Sequence, residues 1–299
     1  MKKMFKNLIF FIQLKIVKIF LEPTYYNEII FFQNIRKKKY DDKKFKESML
    51  RSIFHQFDKK LLDSKIAPEL INIYEKKLIT YLSDKDIDTV FLNWAKDLVT
   101  YAQSEHVNNK LDVRIKKDSL SPEALYELIR DRRSIRSFNE KKISFTLIKK
   151  ILESGLMAPT GCNRQNINYL LLNNFEDKKY CQKLAGEPGK FVTQAPIAVV
   201  ILVDCRTYTC LGHRHQAYLE TGAAVQNMLL FASSYNIGSI WLNWATTKHE
   251  KLQSFYSRFK IKEYNLPTAM IVFGYIKEFP PIIPVRKNIE TCLYRGQPE

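Results

Sequence analysis

The chain holds 299 residues, 45% of them hydrophobic and 26% charged, an ordinary balance for one large domain or two smaller ones with a full core. Its net charge of +17 is spread evenly, with 24 basic and 16 acidic residues in 1–120 against 24 and 15 in 121–299. That evenness argues against a detachable basic tail and favours an anionic partner: a phosphate, a nucleic acid or a lipid surface. The five cysteines all lie in the second half without a Cys-x-x-Cys pair, and the five histidines lack zinc-ligand spacing. A disulfide framework and a structural zinc site are therefore set aside, and a reducing, cytoplasmic setting is expected.

Met4–Leu21 is rich in Ile, Phe and Leu, but Lys6, Lys15 and Lys18 interrupt it and leave no run long enough to span a bilayer. No small-residue cleavage site follows, which argues against a secretory signal. Two readings stay open for this segment: an apolar helix packed on the rest of the protein, or a basic amphipathic helix lying on an anionic membrane surface. Pro23 ends it, and helices are predicted over Tyr25–Tyr40, Phe45–Leu62 and Pro68–Leu82. The last of these places Leu70, Ile73, Tyr74, Leu78 and Leu82 at helical spacing. Ser83, with Asp86 three residues on, predicts the cap of a further helix presenting Val90, Phe91, Trp94, Leu98 and Tyr101 on one face. Between Glu105 and Ser121 the pattern dissolves into Asn, Lys and Asp, which puts a boundary between an all-helical unit, residues 1–118, and a second unit, 119–299.

Helices and strands alternate in the second unit. Ser121-Pro122 starts a helix ending near Arg130, and Ser144 starts another with Leu147, Ile148, Ile151, Leu152 and Leu156 turned inward. Tyr169–Leu172, Ile197–Val203, Ser239–Leu242 and Ala269–Tyr275 read as strands, the unbroken aliphatic Ile197–Val203 as one buried on both faces. Tyr218–Tyr235 is apolar nearly all round and reads as a central buried helix. The class is α+β.

No Gly-x-Gly pair and no Walker A loop exist, so any phosphate must be held mainly by side chains. In Arg132-Arg133-Ser134-Ile135-Arg136 the alternating Arg132, Ser134 and Arg136 point to one side of an extended segment, a pattern that suits a phosphate monoester and equally a solvated basic turn. Ala158-Pro159-Thr160-Gly161-Cys162-Asn163-Arg164-Gln165 makes a turn with hydrogen-bonding side chains at its rim. Gly222-Ala223-Ala224 opens a helix that also carries Gln226 and Asn227, polar groups that need partners if buried. Late in the chain, Arg286 and Lys287 could return to the same phosphate. His213 and His215, flanking Arg214, read as surface residues, and Cys162 as a packing thiol rather than a redox one. No recognition motif accompanies the positive charge, so nucleic acid is not expected as a partner.

Taken in order and at these separations, the four segments resemble the nitroreductase family over roughly residues 122–296. The helical first part is similar to the extension of nitroreductase-like proteins encoded in polysaccharide clusters, through His55-Gln56-Phe57-Asp58-Lys59. The resemblance implies a three-layer α/β/α fold with a mixed sheet, a homodimer, and FMN at the dimer interface. It implies that Arg132, Ser134 and Arg286 grip the FMN phosphate with Arg133 beside them, and that Arg136 lies near the pyrimidine edge of the flavin. Pro159, Thr160, Gly161, Asn163 and Gln165 would border the cofactor, and the backbone through Trp241, Leu242 and Asn243 would run past its ring, offering an N–H to flavin N5. The implied activity is NAD(P)H-dependent reduction of an unidentified small molecule by a ping-pong mechanism. Another flavin reaction, or a non-catalytic scaffold at a membrane or assembly, are the alternatives. Asn166-Ile167 replaces the family's Pro-Trp, and Trp241 and Trp244 stand where smaller residues are common, so the space over the flavin is expected to be unusually filled.

Overall fold

The computed structural model describes residues 30–35, 37–61, 67–104, 121–187, 189–208, 213, 215–244, 249–282 and 284–296. The readings made for residues 1–21 and for the 105–120 boundary lie outside them. After a helical stretch at residues 30–35 come α1 (Lys43–Lys60), α2 (Pro68–Leu82) and α3 (Thr89–Gln103). Asp42 caps α1 by accepting from the Phe45 N–H, and Pro68 opens α2, where its missing N–H costs nothing. The cap of α3 is Asp88, which accepts from the Val90 N–H at 2.9 Å, rather than Ser83. Ser83 instead closes α2, and Asp84 beside it pairs with Lys46 at 2.8 Å.

α3 is also rotated from expectation. It buries Leu92, Ala95, Val99 and Ala102 and leaves Val90 exposed, with Phe91, Trp94, Leu98 and Tyr101 on the flanks. The two alanines let the neighbouring helices approach where the larger residues would hold them apart. Leu50, Phe54, Phe57, Tyr74 and Leu78 complete this three-helix core, while Ile73 and Leu82 of α2 face outward.

The second part runs α4 (Pro122–Asp131), β1 (Ser137–Phe138), α5 (Phe145–Leu156), β2 (Ile167–Leu172), α6 (Phe175–Ala185), α7 (Phe191–Gln194), β3 (Ile197–Asp204), α8 (Gln216–Ser234), β4 (Ile237–Asn243), α9 (His249–Phe259) and β5 (Asn265–Glu278). Ser121 and Ser144 cap α4 and α5 as their sequences predict. Ile148 and Ile151 of α5 turn inward, but Leu156 at its end is exposed.

β3 lies between β2 and β5, β4 pairs with the other side of β5, and β1 joins the far end of β5. Each of these four pairings is antiparallel, so the sheet is antiparallel rather than mixed as expected, and the parallel bridge between Ser134 and Ser239 lies outside its strands. Alternate residues of β3 feed two cores. Val199, Ile201 and Val203 meet α5 and α8 on one face, and Ala198, Val200 and Leu202 meet α6, α7 and α9 on the other. This is a three-layer α/β/α arrangement, with every residue of β3 buried. Phe32 and Ile35 from the N-terminal stretch join the α5–α8 core rather than the three-helix one.

α8 is not buried all round. Ala217, Thr221, Ala224, Val225, Met228 and Ala232 are inside, whereas Leu219 is 71% exposed and Tyr218 and Tyr235 also face out. No helix among the described residues is long and apolar enough to cross a membrane.

Candidate functional site

α4 ends as Arg132 leaves helical geometry, and the chain then runs extended beside β4. Ile135 donates its N–H to the Ser239 carbonyl at 3.0 Å and buries its side chain against Gly238. A Cβ on Gly238 would come within 2.9 Å of Ile135 and 2.8 Å of Ile276, so a residue without a side chain is needed for the segment to dock. With Ile135 turned in, Ser134 and Arg136 alternate to the other side, as their spacing predicts.

Arg132, Arg133 and Arg286 form a cationic cluster at this place. The Nε atoms of Arg132 and Arg133 are buried without a hydrogen-bond partner. Burial, and then the charges of Arg286 and Arg133, hold the Arg132 guanidinium below its ordinary value. Buried donors without acceptors, held among like charges, are costly unless an anion completes them.

The turn after α5 is built differently. Gly161–Asn163 form one 3-10 turn, and Cys162, Asn163 and Gln165 take φ of 54°, 50° and 53°, a left-handed region unusual outside glycine. The Gln165 N–H donates to Thr160 Oγ1 at 2.9 Å, and the Gln165 amide donates to Asn163 Oδ1 at 3.1 Å. Pro159 and Gln165 are exposed, and Thr160, Gly161 and Asn163 half-buried, so the rim faces outward as its composition suggests.

Beneath it sits Glu220 of α8, buried, accepting from the Gly161 N–H and the Tyr208 hydroxyl, each at 2.8 Å. A side chain on Gly161 would press within 2.7 Å of Gln216 and 3.2 Å of Glu220. Sequence reasoning missed Glu220, because one acid in an apolar helix carries no local signal of its partners. The suspected Gln226 and Asn227 prove only half-buried, Asn227 donating to the Ser154 carbonyl at 3.2 Å.

Burial pushes the Glu220 carboxyl above its ordinary 4.5, against the opposing pull of the Gly161 N–H, the Tyr208 hydroxyl and Arg164. A carboxyl raised in the folded state holds its proton more tightly there than in the unfolded chain. The stability it adds is therefore complete below pH 4.5 and is lost as pH rises through the elevated value. Glu220→Gln keeps an acceptor for Gly161 and is expected to flatten that part of the stability curve in denaturant titrations from about pH 4 to about pH 8. An unchanged pH slope would show that Glu220 is not the group responsible.

β4 carries the last predicted site residues. Trp241 and Asn243 are exposed on one face, while Leu242 turns into the opposite core. The Trp241 ring lies 3.6 Å from where a Gly222 side chain would start, so α8 links it to the turn held by Glu220 two residues earlier. Trp244 does not add to this wall. It packs in the α9 core with its ring 5.3 Å from Phe255. Cys162 is half-exposed and receives a hydrogen bond from Gln56. His215 is exposed and His213 half-buried.

The model of the Nitroreductase family matches residues 129–191 and 182–275, taking in the arginine segment, the turn, α8 and β4. Residues 129–275 are a nitroreductase-family domain. A protein of Methanothermobacter thermautotrophicus, provisionally named NADH dehydrogenase/NAD(P)H nitroreductase, is 27% identical over 177 residues, 59% of this chain and 88% of its own. The FMN reductase [NAD(P)H] of Bacillus subtilis is 28% identical over 123 residues, 41% of this chain and 48% of its own. Among solved structures, nitroreductase A of Vibrio parahaemolyticus superposes with a TM-score of 0.51 at 19% identity, covering 58% of this chain and 77% of that one. That structural likeness shows the nitroreductase fold. Arg286 lies beyond the matched residues, and its place beside Arg132 comes from the structure alone.

Proposed function

We propose that the chain binds FMN through Arg132, Arg133, Ser134 and Arg286 and reduces a small-molecule acceptor with hydride drawn from NAD(P)H. The enzyme class and cofactor are those of its family, an NAD(P)H-dependent flavin oxidoreductase that uses FMN. The observation that carries the reading is the pair of buried, partnerless Nε atoms in a cationic cluster at the end of α4. Two guanidinium groups with a third nearby fit one phosphate monoester, and no glycine loop is present for a pyrophosphate.

Bound there, FMN would supply the hydride chemistry between the nicotinamide and the acceptor, in a ping-pong sequence at one site. The chain's own residues bind and orient. Arg132, Arg133 and Arg286 neutralise the phosphate, and the Ser134 hydroxyl adds a donor between them. Arg136 is exposed beside them and would place positive charge near the pyrimidine edge. Among the described residues the outer edge of β4 carries only the Ser134 bridge, which leaves backbone donors past Trp241, Leu242 and Asn243 for a ligand. Trp241 would shield one side from water, and Pro159, Thr160, Gly161, Asn163 and Gln165 would form the rim.

A homodimer belongs to the same reading. α4 buries none of its ten residues and exposes Leu125, Tyr126 and Ile129, while Ile282, Val285 and Tyr294 of the C-terminal segment are almost fully exposed. With Leu219 of α8 these are exposed apolar side chains that a second copy would cover. The units 1–118 and 119–299 are part of the proposal, as is a cytoplasmic setting in which the five lysines of residues 1–21 touch an anionic membrane surface. Light scattering on the purified protein should give a dimer, and the cofactor released from it should have the mass of FMN. FAD, or a monomer holding flavin, would contradict the reading.

A further inference from the structure

One face of α1 lies along the turn, running opposite to it. Lys44 donates to Asn168 Oδ1 at 2.9 Å. Ser48 reaches Asn166 Oδ1 at 2.9 Å and the Arg164 carbonyl at 3.0 Å. Arg51 gives two bonds to that same carbonyl, from Nε at 3.2 Å and Nη2 at 2.9 Å, and Gln56 donates to Cys162 Sγ at 3.3 Å. Lys44, Ser48 and Arg51 stand at positions i, i+4 and i+7, so a single helical stripe supplies three of the four donors.

Arg51 is the unusual member. It is 6% exposed, and burial lowers its guanidinium to about 10, with only the Glu47 charge opposing. Its bonds go to a neutral carbonyl, and the Phe91 ring of α3 covers its face at 4.4 Å. A cation buried in this way is costly to place. The carbonyl it holds belongs to Arg164, the residue between the left-handed Asn163 and Gln165. Side chains in that backbone region persist only where their surroundings fix them. Glu220 anchors one end of the turn at Gly161, and α1 anchors the other.

We propose that α1 is a positioning element of the flavin site, in which Arg51 and Ser48, bonded to the Arg164 carbonyl, hold Thr160–Gln165 in the shape that borders the cofactor. The helical region thereby acts in cofactor binding without touching the cofactor, and its link to flavin rests on the FMN reading given above.

Two measurements on the full-length protein test it. In the flavin-free protein, Arg51→Met should speed amide exchange over residues 161–166 by about tenfold, with Arg51→Lys in between. In titrations, Arg51→Met should weaken FMN and riboflavin by the same factor, about tenfold, because the turn borders the ring. Arg132→Ala, at the phosphate, should weaken FMN alone. Exchange unchanged by Arg51→Met, or flavin affinity unchanged beside faster exchange, would overturn the proposal. Should Arg51→Met fail to fold, Ser48→Ala gives the same test with an effect of about threefold, and unchanged exchange there overturns it too. If the wild type takes up neither flavin while exchange responds as stated, the FMN reading falls and the bracing of the turn stands.

Discussion

Replacing Arg132 by alanine should weaken FMN binding by roughly 10- to 100-fold while leaving the flavin-free protein no less stable. The loss follows from removing charge-assisted bonds worth about 1.5–3 kcal/mol. The opposite sign for the empty protein follows from the surroundings of Arg132. Its Nε is buried without a partner, and the charges acting on it are those of Arg286 and Arg133. Taking one cation out of that cluster relieves repulsion and removes an unsatisfied donor. Arg286→Ala should show the same split, to a smaller extent in stability because Arg286 is exposed. Fluorescence titration of FMN together with denaturant melts of the empty protein checks both halves. Flavin affinity unchanged in both variants would remove the phosphate site.

Arg206→Ala should cost about 3–5 kcal/mol of folding stability, as much as truncating a large core side chain. Its side chain is fully buried and bonds Asp204 from Nε at 2.9 Å and Nη2 at 2.6 Å, with Asp42 as a second carboxylate. The guanidinium lies 3.8 Å from the Tyr264 ring, with Tyr40 and Phe45 beside it. Burial alone would lower its affinity for the proton, but the bonds to Asp204 and Asp42 hold it above the ordinary value. Removing it strands the nearly buried Asp204 carboxylate and unties Asp42, the cap of α1, from the sheet. Arg206→Lys should recover little, since one ammonium cannot reproduce the forked contacts. A loss under about 1 kcal/mol in urea titration would mean that Asp204 finds another partner.

Much of the second half was legible because its signals are local. Ser121 and Ser144 cap the helices they precede, Ile197–Val203 is buried on both faces, and the alternation around Ile135 orients Ser134 and Arg136. The residues that spacing could not reveal have partners far along the chain. Arg51 and the Arg164 carbonyl are 113 positions apart, Gly161 and Glu220 are 59, and Arg206 and Asp42 are 164. The helix errors have a packing cause. Large residues at helical spacing suggested that Val90, Phe91 and Trp94 face inward, yet the helices close over Ala95 and Ala102. In α8, an apolar composition did not distinguish burial within one chain from the exposed Leu219 face.

The central claim is that this protein passes hydride from a nicotinamide through a bound flavin. The most direct measurement is to add NADH or NADPH, without oxygen, to the purified full-length protein with its flavin in place. Flavin absorbance should bleach with at least one of the two and return on admitting an acceptor. A flavin that stays oxidised under both nicotinamides would contradict it, as would a protein that takes up no flavin.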